Sequence, residues 1–355
     1  GDDANDGLSP DTAVKTWEKA RELLIQYSRD AGDAGFQPII FVCGTVALDL
    51  PAGGEYTLTL PQADVPMDKY IAYEKAQGRA PEKAHVQRYN DGYALFSVKN
   101  QGTVTFENIK IDGNDPPGDE GNYNSSYVLS TPGGKIVVSD GARIDTYLYS
   151  RVFRVTDDAD IVVKQSFEAG DVDEVNDERY GAQITGGIMF TTGNVISGVE
   201  HYTLEMTENA YVENSVGLFY SLLHEFTVTL KDNAILDFVG GRDSFIYGEG
   251  HMSLYSDLKV DMSGNSRITT GGTSASILLF TNPKGEDGIH IVMRDNARWE
   301  NLLSPYGLQG GFTLEMYDNS VATASNQVKW YDHYSPQKAV IIMGVKGGDD
   351  APVLS

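Results

Sequence analysis

The chain has 355 residues, a formal net charge of −24 and a single cysteine. So acidic a surface repels nucleic acid and anionic lipid head groups, and we exclude both as partners. One thiol excludes a disulfide framework, and no apolar run of about 18 residues predicts membrane insertion as a helix.

The first predicted element is an amphipathic helix near the N-terminus. Thr16 is suited to cap it, and an apolar stripe follows at helical spacing: Trp17, Ala20, Leu23, Leu24 and Tyr27. The cluster Gly32-Asp33-Ala34-Gly35 ends it. We interpret residues 1–35 as a cap that covers the apolar end and the open strand edges of the body that follows.

Residues 36–346 are rich in short strands with alternating apolar positions, such as Tyr56-Thr57-Leu58-Thr59-Leu60. Charged or Gly- and Pro-rich segments interrupt them near 61–91, 112–123 and 168–180, and we interpret these as loop inserts. Residues 347–355 have the composition of a linker, which indicates one part of a longer multidomain chain.

One local phrase returns five times between residues 202 and 344. An apolar strand leads to an asparagine, a small residue and a second strand. The asparagines are 24, 32, 31 and 23 residues apart, which indicates stacked repeats: Asn209, Asn233, Asn265, Asn296 and Asn319. Three short strands and a polar corner fit about 22–30 residues per coil. Asparagine tolerates left-handed backbone and bonds locally, so we assign these side chains to structure, where they can also form a ladder.

The opening Asn5-Asp6-Gly7-Leu8-Ser9-Pro10-Asp11 and its continuation to Thr16 resemble the start of secreted bacterial β-helix proteins of the pectate-lyase-like superfamily. The phrase Leu230-Lys231-Asp232-Asn233-Ala234-Ile235 is similar to coils of the adhesin-like branch. The resemblance implies an all-β fold, a single-stranded right-handed parallel β-helix (solenoid) of about a dozen coils with an N-terminal capping α-helix. Because that superfamily includes lyases, glycoside hydrolases, epimerases and adhesins, fold leaves the activity open.

Carboxylates and bases are dense between residues 112 and 164. Paired carboxylates about 5 Å or 6.5–9.5 Å apart suit glycoside hydrolysis. If the chain is an enzyme, the catalytic candidates are Asp140, Asp145, Asp157, Asp158, Arg143 and Arg154. The alternative is a set of ordinary turn aspartates beside a solvated loop.

The segment that begins at Asp112 is rich in oxygen donors. Calcium takes several such ligands from a flexible loop, so a calcium site is one interpretation: Asp112, Asn114, Asp115 and Asp119. The spacing is not that of an EF-hand, and the alternative is again a solvated acidic loop. We expect no required cofactor, with calcium as the possible exception.

Tyrosine is abundant, at 20 residues. Its apolar ring and polar tip suit contact with sugar rings or peptide surfaces. Our ligand-binding candidates are Tyr123, Tyr127, Tyr147 and Tyr149. The alternative is an aromatic ladder inside the core or along a flat face.

The sequence has no nucleophile elbow, phosphate loop or dinucleotide fingerprint, and its histidines lack metal-ligand spacing. We therefore expect a non-catalytic, secreted or cell-surface bacterial module of the adhesin type that binds an extracellular glycan or a surface protein. One alternative is a polysaccharide-active enzyme, a glycoside hydrolase or lyase, with a carboxylate groove around 112–164. Another is a purely structural stalk.

Overall fold

The computed structural model of the chain describes residues 1–31, 39–60, 85–89, 93–113, 127–145, 152–166, 183–185, 188–191, 201–213, 216–219, 225–237, 257–269, 289–300, 312–323, 339–344 and 353–354. Most of the predicted inserts lie outside these ranges. The insert predicted at 61–91 nevertheless includes a strand at its end, His85–Arg88.

The N-terminal helix forms where it was predicted. A 3₁₀ turn, Pro10–Thr12, precedes helix α1, Trp17–Ala31. The hydroxyl of Thr16 accepts from the amide of Lys19 at 3.3 Å, as an N-cap does. The carboxylate of Asp3 accepts from the amides of Lys15 and Thr16 at 2.8 and 2.9 Å. These hydrogen bonds, with that of the Thr16 amide first, lower the pKa of Asp3.

Helix α1 packs its apolar stripe on the core of the first coils. Trp17 is only 2% exposed and meets Phe96 edge-on, with ring centroids 5.5 Å apart. The hydroxyl of Tyr56 donates to Glu18 and so joins the outer side of the helix to the body. Burial raises the pKa of Tyr56.

The rest of the described chain is built from short strands that we number in order. Six coils contribute three strands each: β1 (Ile39–Val42), β2 (Val46–Ala47), β3 (Glu55–Leu58); β4 (His85–Arg88), β5 (Phe96–Ser97), β6 (Gly102–Phe106); β7 (Lys110–Asp112), β8 (Leu129–Thr131), β9 (Gly134–Val138); β10 (Arg143–Asp145), β11 (Phe153–Val155), β12 (Ala159–Gln165); β13 (Gln183–Thr185), β14 (Ile188–Thr191), β15 (His201–Glu208); β16 (Tyr211–Glu213), β17 (Val216–Phe219), β18 (Glu225–Leu230).

From the seventh coil onward, the described residues contribute two strands to each coil. These are β19 (Ile235–Asp237), β20 (Asp257–Met262); β21 (Arg267–Thr269), β22 (Ile289–Met293); β23 (Arg298–Trp299), β24 (Phe312–Tyr317); β25 (Val321–Ala322), β26 (Ala339–Gly344); and a final β27 (Val353–Leu354).

The strands form three long sheets. Sheet A has eleven strands and begins with β1, sheet B has six and begins with β2, and sheet C has ten and begins with β3. In each sheet a strand lies beside its counterparts from the coils before and after it, and the described ladders are parallel. The chain is thus an all-β protein of long parallel sheets with one N-terminal helix, which is the arrangement of a parallel β-helix or solenoid.

Alternation along each strand places one set of side chains in the core. In sheet C a column of aliphatic residues, each at most 1% exposed, runs from coil to coil: Leu204, Val228, Val260, Ile291 and Leu314. Such columns bury a continuous apolar interior, because every inward residue is covered by its counterpart in the next coil.

The corner from sheet C to sheet A carries the asparagine ladder. Each amide nitrogen donates to the amide oxygen of the previous asparagine, at 3.0, 3.1, 3.1 and 3.3 Å along Asn209, Asn233, Asn265, Asn296 and Asn319. The predicted ladder is confirmed. The predicted left-handed conformation falls one residue earlier, on Glu208, Asp232, Gly264, Asp295 and Asp318, with φ between 57° and 67°.

Three of these five left-handed residues are aspartates. Their carboxylates accept the amide of the residue one coil earlier: Asp232 from Glu208 at 3.0 Å, and Asp295 from Gly264 at 2.9 Å. Asp tolerates this backbone region better than most residues. The hydrogen bond between coils offsets part of the strain.

We predict that Asn265→Ala lowers the free energy of unfolding by about twice as much as Asn319→Ala. Among the described residues Asn265 makes two ladder hydrogen bonds and Asn319 makes one, and each is worth roughly 0.5–1.5 kcal/mol. Urea unfolding of the two variants checks this. Equal losses would show that the ladder bonds are not the source.

Ser266 gives a prediction of the opposite sign. It is fully buried between Ala234 and Ala297, and among the described residues its hydroxyl has no hydrogen-bond partner. Ser266→Ala removes this desolvated group and should stabilise the fold by about 1 kcal/mol. The partly exposed Ser263 is the control, since Ser263→Ala should change little. A lower urea midpoint for Ser266→Ala would contradict the prediction.

Candidate functional site

The outer side of sheet A in the first four coils presents two columns of side-chain positions, which we call the sheet A face. One column holds Ile39, His85, Lys110 and Arg143, and the other holds Phe41, Gln87, Asp112 and Asp145. Adjacent parallel strands are about 4.8 Å apart, and alternate residues of a strand share a face. The register therefore brings together two sequence candidates, Asp112 and Asp145, beside Lys110 and Arg143.

An exposed aromatic pair lies at the N-terminal end of the sheet A face. Phe41 is 52% exposed and Tyr89 is 48% exposed. Their ring centroids are 6.2 Å apart, with the planes at 82°. Neither residue was among the sequence candidates. The available signal was the alternation in β1, which turns Phe41 outward while Val42 is buried.

A buried arginine organises the corner between sheets A and B. Arg88 is 1% exposed, and its guanidinium donates to the carbonyls of Gly113 at 2.8 Å, Tyr127 at 3.1 Å and Tyr93. It also lies 5.6 Å from the ring centroid of Tyr93. We call this group the Arg88 clamp. Gly113 and Tyr127 flank residues 114–126, so the clamp joins the two ends of that segment.

Tyr127 packs into the same corner. Its ring is 6% exposed, and the guanidinium carbon of Arg154 lies 5.7 Å from the ring centroid. Among the described residues, the buried Nε of Arg154 has no hydrogen-bond partner. Ligand binding by Tyr127 stays a prediction, with the ring covered in this arrangement. Further ligand candidates lie outside the described residues: Tyr123, Tyr147 and Tyr149.

Three aspartates among the catalytic candidates accept hydrogen bonds from residues of other coils. Asp140 accepts from the amide and hydroxyl of Ser166, both at 2.8 Å. Asp157 accepts from the Gln101 amide nitrogen at 3.0 Å, and Asp158 accepts from the backbone amide of His201 at 3.0 Å.

These bonds are those of turn aspartates that hold coils in register. Asp140 lies at the corner from sheet C to sheet A, whereas Asp157 and Asp158 lie between sheets B and C. The structure therefore separates them from the pair Asp112 and Asp145. Their catalytic role stays a prediction.

The outer face of sheet C carries charged pairs between coils. Lys231 meets Glu205 at 2.7 Å, and this hydrogen bond raises the pKa of Lys231. Glu315 accepts from Tyr317 at 2.6 Å and lies 2.8 Å from His290. The Tyr317 hydroxyl, followed by His290, lowers the pKa of Glu315. Such exposed pairs stabilise the fold by at most about 1 kcal/mol. We interpret them as surface side chains paired with each other, and not as a functional site.

Neither a metal site nor a membrane span is found in the described part of the chain. No cluster of three or more His, Cys, Asp or Glu side chains there could hold a metal ion. No described helix is long and apolar enough to cross a membrane. Of the predicted calcium ligands, only Asp112 is described; Asn114, Asp115 and Asp119 lie outside.

The comparisons give no relative from which to argue. No protein-family model matches the chain, and neither a curated protein nor a solved structure does. Function therefore has to be argued from the geometry of the sheet A face and its surroundings.

Proposed function

We propose that the chain is a non-catalytic binding module of the adhesin type whose glycan ligand lies on the sheet A face. The observation that carries this proposal is the exposed pair Phe41 and Tyr89. Large aromatic rings are normally buried, and an exposed pair on a flat sheet offers apolar surface to the C–H faces of sugars.

The polar positions beside the pair suit sugar hydroxyls. Gln87 and His85 follow in the next coil, and Lys110 and Asp112 in the one after. Together these side chains supply both donors and acceptors. Because basic and acidic columns run side by side, the face favours a neutral glycan over a strongly charged one.

The remaining parts of the proposal rest on pattern. We propose a right-handed coil, because parallel crossover connections are almost always right-handed. The opening phrase supports membership of the pectate-lyase-like superfamily, in its adhesin-like branch, and a secreted or cell-surface place in a bacterium. Calcium at the segment that begins at Asp112 is part of the same proposal.

The double variant Phe41→Ala/Tyr89→Ala tests the ligand face. We expect binding to a glycan array and to immobilised polysaccharide to weaken at least tenfold, about 1.4 kcal/mol, because the stacking surface is removed. Tyr317→Ala is the matched control, since this tyrosine lies on sheet C. Binding by the double variant at the wild-type level would overturn the proposed face. Absence of wild-type binding to any glycan or protein would favour a stalk.

A polysaccharide-active enzyme is the second candidate. It is favoured by the register that pairs Asp112 with Asp145 and Lys110 with Arg143. In this register the backbones of Asp112 and Asp145 are about 4.8 Å apart, and the two carboxylates of retaining glycosidases are about 5–5.5 Å apart. The test is to incubate the chain with a polysaccharide panel and look for new reducing ends or unsaturated products. If the wild type forms such products, Asp112→Asn does not and Asp157→Asn still does, the enzyme proposal replaces the adhesin proposal. If the wild-type chain releases no product from any polysaccharide, the enzyme proposal is wrong.

A further inference from the structure

We propose that Arg154 forms an oxyanion-binding site on the outer face of sheet B, separate from the sheet A face. Among the described residues, its guanidinium carbon lies 5.7 Å from the ring centroid of Tyr127, and its Nε has no hydrogen-bond partner. Its Nε is buried nevertheless. Buried polar groups of native proteins are nearly always hydrogen-bonded, and an exception calls for a ligand, a water or an ion.

The guanidinium is held in place before any ligand arrives. The guanidinium carbon lies over the Tyr127 ring, 5.7 Å from its centroid, and Arg88 donates to the Tyr127 carbonyl at 3.1 Å. A guanidinium presents N–H groups in a planar fork, which binds carboxylate or phosphate oxygens in pairs. Holding that fork in advance reduces the entropy lost on binding.

The neighbouring positions supply hydroxyl groups rather than carboxylates. In register, Arg154 pairs with Ser130, and Ser97 is the next position beyond Ser130. Adjacent strands are about 4.8 Å apart, so a small anion on Arg154 lies within reach of the Ser130 position. Hydroxyls can donate to an anion and carry no charge that repels it.

The nearest acidic residues along the chain are committed elsewhere. Asp157 accepts from Gln101 at 3.0 Å and from the amide of Asp158 at 2.9 Å. Asp158 accepts from His201 at 3.0 Å. These contacts tie both carboxylates to the corner between sheets B and C. Among the described contacts, no ion pair joins either carboxylate to Arg154, whose positive charge stands within a protein of net charge −24.

The ligand chemistry is that of an oxyanion: a planar carboxylate, or a tetrahedral phosphate or sulfate. Because the net negative charge opposes anions at long range, the site acts by short-range hydrogen bonding, and ionic strength must be held constant in any test. Isothermal titration calorimetry of the full chain tests the site, with acetate, inorganic phosphate and sulfate as separate probes. The three titrations show which of these oxyanions the site binds.

We expect saturable binding of at least one probe by the wild type. Arg154→Gln should weaken it at least tenfold, and Arg154→Lys should weaken it several-fold because lysine lacks the fork. Arg298→Gln, which alters an exposed arginine on sheet A, should leave it unchanged. No saturable binding of any probe, or wild-type affinity in Arg154→Gln, would overturn the site.

Two further readouts make the result unambiguous. If Arg154→Gln does not fold, as judged by circular dichroism, the lysine variant decides, and unchanged affinity there overturns the site. Glycan binding by the sheet A face should be the same in all Arg154 variants. Failure of the oxyanion site and failure of the proposed function are thereby separated.

Discussion

Replacing Arg88 by methionine is expected to lower the free energy of unfolding by roughly 3–5 kcal/mol. The change keeps much of the side-chain volume but removes the guanidinium donor from the carbonyls of Gly113, Tyr93 and Tyr127. The Tyr127 carbonyl still accepts from the amide of Leu95 at 2.9 Å, so the loss falls mainly on Gly113 and Tyr93. A buried carbonyl that loses its partner costs about 1–3 kcal/mol. Release of a desolvated charge offsets part of this sum, so the loss stays below the total for three separate bonds.

The part of the chain that Arg88→Met destabilises is as informative as the size of the loss in free energy. Because solenoid coils contact mainly their neighbours, unfolding need not be two-state, and hydrogen exchange at single amides is the better measurement. Protection should fall most in β7 and β8, which the clamp joins. Arg298→Met, at an exposed position, should change stability by less than about 0.5 kcal/mol. A loss below about 1 kcal/mol in Arg88→Met would show that the clamp is dispensable.

Replacing Trp17 by alanine is expected to remove about 3–5 kcal/mol, the usual range for a buried tryptophan. The indole is almost fully buried and packs edge-on against Phe96. Its loss leaves a void between helix α1 and the first coils. The strand edges beneath the helix then become available to other chains, so we also expect concentration-dependent association.

The variant Trp17→Phe distinguishes the contribution of ring packing to stability from that of the indole N–H. Among the described residues the Trp17 Nε1 has no hydrogen-bond partner, so phenylalanine should cost less than about 1.5 kcal/mol. Leu8→Ala, at a position 69% exposed in the same N-terminal segment, is the surface control. Urea unfolding and light scattering provide the readouts. A wild-type midpoint for Trp17→Ala would contradict a capping role for the helix.

Local periodicity predicted much of the architecture. The stripe from Trp17 to Leu24 predicted both helix α1 and the face that it buries, because a 3.6-residue period is a property of the chain alone. The asparagine phrase likewise predicted a repeating corner and its ladder. The left-handed residue was misplaced by one position, since the bond that favours Asp232 there comes from the preceding coil.

The candidate site was harder to predict, because its geometry depends on contacts between distant parts of the chain. Arg88 lies in a charged segment and binds carbonyls 25 and 39 residues away, at Gly113 and Tyr127. The pairing of Asp112 with Asp145 depends on the register of two coils that an insert separates. The exposure of Phe41 could have been predicted from the sequence, since strand alternation alone turns this residue outward.

The asparagine corner has a consequence for how the chain can change in length. Consecutive asparagines are 23 to 32 residues apart, yet every corner keeps the same hydrogen bond to its neighbour. The extra residues fall between the end of a sheet A strand and the start of the next sheet C strand. The asparagine corner thus keeps its register while the length of chain from sheet A to sheet C varies. Peptides grafted into the sequence between β19 and β20, or between β21 and β22, should leave that corner in register, which makes this solenoid a scaffold for displaying new loops.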